Sequence, residues 1–143
     1  MITHISWQDA NAIFKKELGC SIPVSIDGIC DALCAHGKKP VFIKVNDYQD
    51  MNDSDTLSLI LNGEEVKCDE EAIVITDYIY YGSSVIQGNA SPWSVSGELH
   101  QFVDGYRDRY GEFIFDCDAI MLLRKHRRVI LFRHDGFACH VLY

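Results

Sequence analysis

Six cysteines and six histidines are the side chains in this 143-residue sequence with the widest chemical scope. Cys20, Cys30, Cys34 and His36 fall within 17 residues of one another. Structural zinc usually takes close Cys-x-x-Cys pairs on turns, and this spacing does not supply them. Ile26, Ile29, Cys30, Leu33 and Cys34 instead recur at helical spacing along one apolar stripe. The two cysteines on it read as small core hydrophobes, and no metal site is assigned. Asp50-Met51-Asn52-Asp53-Ser54-Asp55 lacks the sixth-position glycine and correctly spaced terminal glutamate of a calcium loop.

A cysteine nucleophile needs a partnered base and a lowered pKa, often at a helix N-terminus. The candidates are Cys117 and Cys139 with His100, His126, His134 and His140. Neither cysteine opens a predicted helix. Cys139 and His140 are neighbours on a predicted strand and so face opposite ways. His134-Asp135-Gly136 reads as a tight turn. No Gly-x-Ser-x-Gly elbow is present, and Gly82-Ser83-Ser84 and Ser94-Val95-Ser96-Gly97 read as loop serines. No phosphate-binding loop, dinucleotide fingerprint or zinc-protease motif occurs, so no catalytic residue and no cofactor are assigned. A small enzyme with a Cys/His or Asp/His pair in the C-terminal strands stands as the alternative function.

Charge is more distinctive. Ten acids and a single base, Lys67, lie between Asp47 and Asp77. The acids Asp47, Asp50, Asp53, Asp55, Glu64, Glu65, Glu70, Glu71 and Asp77 form a candidate docking surface for a basic protein, because acidic clusters steer such partners. Tyr48, Tyr78, Tyr80 and Tyr81 lie in or beside it, and tyrosine is a common interface anchor. Arg124, Lys125, Arg127, Arg128 and Arg133 hold five of the 13 Lys and Arg residues. Most of them fall at a predicted hairpin tip, where solvated charge is the ordinary outcome. No aromatic run interleaves them as a stacking platform for nucleic acid would require.

These residues must be positioned by a small number of elements. Residues 7–18 predict a helix capped by Ser6 and closed by Gly19. Residues 26–36 predict a second, capped by Ser25. Residues 40–45 read as a strand and 47–55 as a loop. Leu57 to Leu61 reads as a strand, Asn62-Gly63 as a hairpin turn and Glu64 to Lys67 as the return strand. Ala72–Thr76 and Tyr78–Ile86 read as strands and Gly88–Pro92 as a loop. Residues 97–110 predict a third helix capped by Ser96. Strands follow at Phe113–Phe115, Ala119–Arg124, Arg128–Arg133 and Phe137–Leu142. Helices and strands are segregated rather than alternating. That predicts one α+β domain over residues 1–143: a largely antiparallel sheet of six or seven strands, with two N-terminal helices and one mid-chain helix on one side of it.

Composition agrees with a globular chain, at 48% hydrophobic and 24% charged residues. The net charge of −8 argues against duplex binding, which rests on neutralising phosphates. No secretory signal pattern opens the sequence and no apolar stretch approaches membrane-spanning length, so a cytoplasmic protein with free thiols is expected and no membrane partner. Together these features favour an acidic binding protein that neutralises a basic partner, such as an immunity protein against a nuclease-type toxin. A regulatory module that binds through a sheet edge is a further alternative.

Overall fold

Ala72–Ile75, Ala119–Leu123 and Val129–Phe132 are uninterrupted apolar runs. A strand with one wetted face alternates in polarity, so runs like these belong to strands covered on both sides. The computed structural model bears this out. It describes residues 2–20, 25–62, 71–76, 79–81, 84–86, 91–97, 99–111 and 113–143, with the backbone alone at 79–81, 84–86 and 91.

The elements run β1 (Ile2–His4), α1 (Trp7–Leu18), α2 (Ile26–Ala35), β2 (Ile43–Lys44), α3 (Asp53–Leu61), β3 (Glu71–Thr76), β4 (Ile79–Tyr81), β5 (Ser84–Ile86), β6 (Ser91–Ser96), α4 (Leu99–Tyr110), β7 (Ala119–Leu123), β8 (Arg128–Phe132) and β9 (Phe137–Leu142). Short 3₁₀ turns occupy Tyr48–Asp50 and Ile114–Asp116. Seven strands form one sheet in the order β1-β6-β3-β7-β8-β9-β2, and β4 pairs with β5 apart from it. Every pairing is antiparallel. The α+β class, the antiparallel sheet and the two N-terminal helices are as the sequence predicts.

Helices cover both faces, not one. Phe14 and Leu18 of α1 and Ile26, Ile29 and Leu33 of α2 pack against Ile73, Ile120, Leu122, Val129 and Leu131. Leu57, Ile60 and Leu61 of α3 and Leu99, Phe102 and Val103 of α4 pack against Val74, Met121, Ile130 and Phe132 on the opposite face. Each such side chain taken from water contributes roughly 1.5–3 kcal/mol, which makes the doubly covered strands the energetic centre of the molecule.

The N-terminal caps form as expected. Ser6 Oγ accepts the amide of Asp9 at 3.0 Å and Ser25 Oγ that of Gly28 at 2.9 Å. Gly19 closes α1 at φ 71°.

The middle of the chain differs from the sequence reading. Leu57–Leu61 is helical: Asn52 Oδ1 caps α3 by accepting the amide of Asp55 at 2.8 Å, and Asp53 and Asp55 occupy its first turn. Leu57, Ile60 and Leu61 then share one buried side, a helical spacing that an apolar run conceals. Asn62 ends the helix in the left-handed conformation rather than turning a hairpin; the proposed return strand Glu64–Lys67 lies outside the described residues. Residues 40–45 contribute strand only at Ile43–Lys44. The stretch read as one strand at Tyr78–Ile86 contains two, β4 and β5. Ser94 and Ser96 are strand residues of β6, not loop serines, and α4 begins at Leu99, after Ser96 has ended the strand. Phe113–Phe115 gives way to a 3₁₀ turn, and β1 is an edge strand with no marked sequence signal. No helix among the described residues is long and apolar enough to cross a membrane.

Candidate functional site

The acidic segment does not lie on one surface. Asp47, Asp50 and Asp55 are exposed along the 3₁₀ turn and the first turn of α3. Asp53, read with them as a surface acid, is buried at 5% exposure. Its carboxylate accepts the backbone amides of Ile114 at 2.9 Å and Phe115 at 3.3 Å. It therefore anchors one segment to another and is not available to a partner. Burial pushes its pKa up; the two amide bonds oppose the shift, and the charges of Asp116 and Asp104 add to it.

Those two acids belong to a surface that the linear sequence does not show. Asp104 and Asp108 on α4 and Asp116 on the second 3₁₀ turn are all exposed. The two 3₁₀ turns contact each other, and α3 contacts α4. Asn52, Asp53, Asp104, Arg107 and Asp108 line a shallow cleft of about 190 Å³. Arg107 stacks over Phe113 at 4.4 Å. Asp104 and Asp116, from two segments distant in sequence, thus lie close enough to the buried Asp53 for their charges to act on it, and Asp108 shares its cleft. Position 104 onward carried no signal on its own, because Arg107 and Arg109 alternate with the acids and cancel the local charge count.

The remaining members of the predicted docking set fall elsewhere. Glu71 is exposed at the far end of β3 and pairs with Arg124 at 3.8 Å. Tyr48 is half-buried; its hydroxyl donates to the carbonyl of His134 at 2.7 Å, and its ring meets Phe132 edge-on at 5.3 Å. It serves the fold first. Tyr80 and Tyr81 lie on β4, in register with Val85 and Ser84. Glu64, Glu65, Glu70, Asp77 and Tyr78 lie outside the described residues.

The basic cluster does occupy the β7–β8 hairpin tip, and part of it is engaged. Arg124 Nε lies 3.3 Å from Glu17 Oε1. Arg127, at φ 51°, donates from Nε to the Tyr143 carbonyl at 3.1 Å and stacks over the Tyr143 ring at 4.9 Å. Burial, then Glu17, pushes the Tyr143 hydroxyl up to about 12.

Cys20, Cys30, Cys34, Cys117 and Cys139 carry free thiols. Burial pushes Cys139 up to about 12 and Cys20 to about 11. Cys30 rises to about 11 through burial first and then the nearby Asp27. Neutral thiols of this kind are poor nucleophiles at pH 7. Among the described residues no group of three or more His, Cys, Asp or Glu side chains could hold a metal ion. His100 Nδ1 meets Ser54 Oγ at 2.7 Å, joining α4 to α3. His134 does find a carboxylate, but it is Asp118 rather than its neighbour Asp135. Asp118 Oδ1 accepts the His134 backbone amide at 2.7 Å and lies 3.0 Å from ring Nδ1.

Compared with protein-family models, with curated proteins and with solved structures, the chain matches none.

Proposed function

We propose that this chain is a cytoplasmic binding protein that neutralises a basic protein partner, in the manner of an immunity protein that blocks a nuclease-type toxin. The observation that carries this reading is that Asp104 and Asp116 are brought close to the buried Asp53, on elements that contact the 3₁₀ turn and the helix bearing the exposed Asp47, Asp50 and Asp55. Nucleases bind phosphates through cationic surfaces, and an acidic surface of matching extent occludes such a surface. A site built on helix starts and 3₁₀ turns that are pinned by Asp53 is held in place before the partner arrives, which lowers the ordering cost of association. Burial, which pushes the Cys139 thiol up to about 12, disfavours that cysteine as a nucleophile.

The test is surface plasmon resonance between the purified chain and a panel of purified, basic nuclease-type toxin domains. Asp47→Lys, Asp50→Lys and Asp55→Lys combined should slow association about tenfold or more at low salt, since steering follows the field. The difference should shrink near ~0.5 M salt, where the screening length falls to a few ångströms. An unchanged association rate at low salt would remove this surface from the docking site, and absence of binding by the native chain would overturn the reading.

A further inference from the structure

A cavity of about 300 Å³ opens between the first turn of α2 and the turn that joins β8 to β9. It lies on the α1–α2 side of the sheet, away from the acidic surface. Its walls are Ile26, Cys30, Phe42, Asp118, Arg133 and His134, with Asp27 at the rim. Small-molecule sites have this makeup: apolar walls and a few convergent polar groups, in roughly 300–1,000 Å³.

The polar groups are not equivalent. Asp118 is 1% exposed, and its Oδ1 already receives two bonds from His134. An ionised carboxylate only accepts, so the proton between them sits on Nδ1. That commits Nδ1 to the protein and leaves Arg133 as the cavity's cationic donor. Arg133 supplies a permanent cation. Its guanidinium lies 5.9 Å from the Phe42 ring centroid, against an apolar wall of the cavity. Its charge also reaches Cys30, where it opposes the upward shift of the thiol. Its contact with Asp135, at 3.4 Å, is between groups that are both well exposed and so is weak enough for a ligand to displace. The cavity therefore offers one permanent cation, Arg133, above an apolar floor, and the exposed Asp27 at the rim discriminates against multiply charged anions.

We propose that this cavity binds a small monocarboxylate with an apolar body. The carboxylate pairs with the Arg133 guanidinium, and the body lies on Ile26, Cys30 and Phe42. The site is separate from the docking reading and stands or falls without it.

Hexanoate and hexanamide, titrated into the ¹⁵N-labelled chain and followed by NMR, test this. Hexanoate should bind saturably with a Kd of ~1 mM or tighter and shift the amides of Cys30, Arg133 and His134. Hexanamide should bind about tenfold or more weakly, because it loses the charge-assisted pair. Arg133→Gln should weaken hexanoate binding about tenfold while leaving amide dispersion elsewhere unchanged. No saturation by ~20 mM, equal binding of the amide, undiminished binding by Arg133→Gln, or shifts confined to another surface would each overturn the proposal.

Discussion

The carboxylate of Asp53 accepts the amide of Ile114 at 2.9 Å across a separation of 61 residues. One side chain thereby fixes the start of α3 to the turn that leads into β7. Removing it would leave two buried amides without a partner, at about 1–3 kcal/mol. Asp53→Ala should lose that much in urea denaturation at pH 7. Asp53→Asn retains an acceptor oxygen and should lose less. The pH dependence has a definite sign. Burial raises the folded-state pKa above the unfolded value, so the fold binds this proton more tightly than the unfolded chain does. The stability of the native chain relative to Asp53→Asn should therefore be greatest at or below pH ~4 and decline as pH rises through the folded pKa. A relative stability that rises with pH would contradict the assignment.

Thiol reactivity should rank by burial. Cys34 is exposed, whereas Cys20 and Cys139 are each 2% exposed and hold their protons to about 11 and about 12. With an aromatic disulfide reagent at pH ~8, Cys34 should react first, and Cys20 and Cys139 should wait for unfolding. Under denaturing conditions without reductant, mass spectrometry after alkylation should count all six cysteines. Two or more native disulfides would argue against a reducing compartment.

Ile29 and Leu33 are both fully buried on the sheet-facing side of α2. Truncating either to alanine leaves a cavity that this packed layer cannot close, at about 2–5 kcal/mol each. Chemical denaturation measures both; losses under about 1 kcal/mol would mean that α2 does not seal this face.

Gly136 and Tyr48 offer a coupled test. Gly136 adopts φ 89°, and a Cβ there would lie 2.7 Å from Tyr48 Cε1. Gly136→Ala thus adds backbone strain to a clash with a ring that is itself held by the His134 carbonyl. We expect a loss of about 1–3 kcal/mol, part of which should be relieved when Tyr48→Ala is combined with it. Strict additivity in the double-mutant cycle would exclude the clash and leave only the strain.

The parts of the fold that were legible in the sequence are those fixed by neighbours. Ser6, Ser25 and Gly19 mark helix ends through local bonds, so α1 and α2 appear at their true places. The apolar runs of β3, β7 and β8 are likewise self-announcing. Leu57–Leu61 reads as a strand in sequence, since four apolar residues in five fit a buried strand as well as one helix side; the Asn52 cap decides for the helix. The site was less legible because its relationships are tertiary. Asp53 looked like its acidic neighbours until its partners were placed opposite it. His134 had Asp135 beside it in sequence, yet the fold delivers Asp118. Asp104 and Asp116 join Asp55 only once α4 and the 3₁₀ turn have docked.

The sheet order has a consequence for how the chain is made. β7, β8 and β9 are consecutive hairpins, while β1 reaches its partner only across the register Ile2↔Val95. Short loops close at the smaller entropic cost, so the last three strands are the natural seed of the sheet. They are also the last of these elements to leave the ribosome. α1 and α2 emerge first, with apolar sides and no platform to receive them, and must wait until residues beyond Phe137 are free. During synthesis the α1–α2 segment is therefore exposed to chaperones and proteases until these strands have emerged. A stall before β9 should yield a product that is degraded rather than half folded.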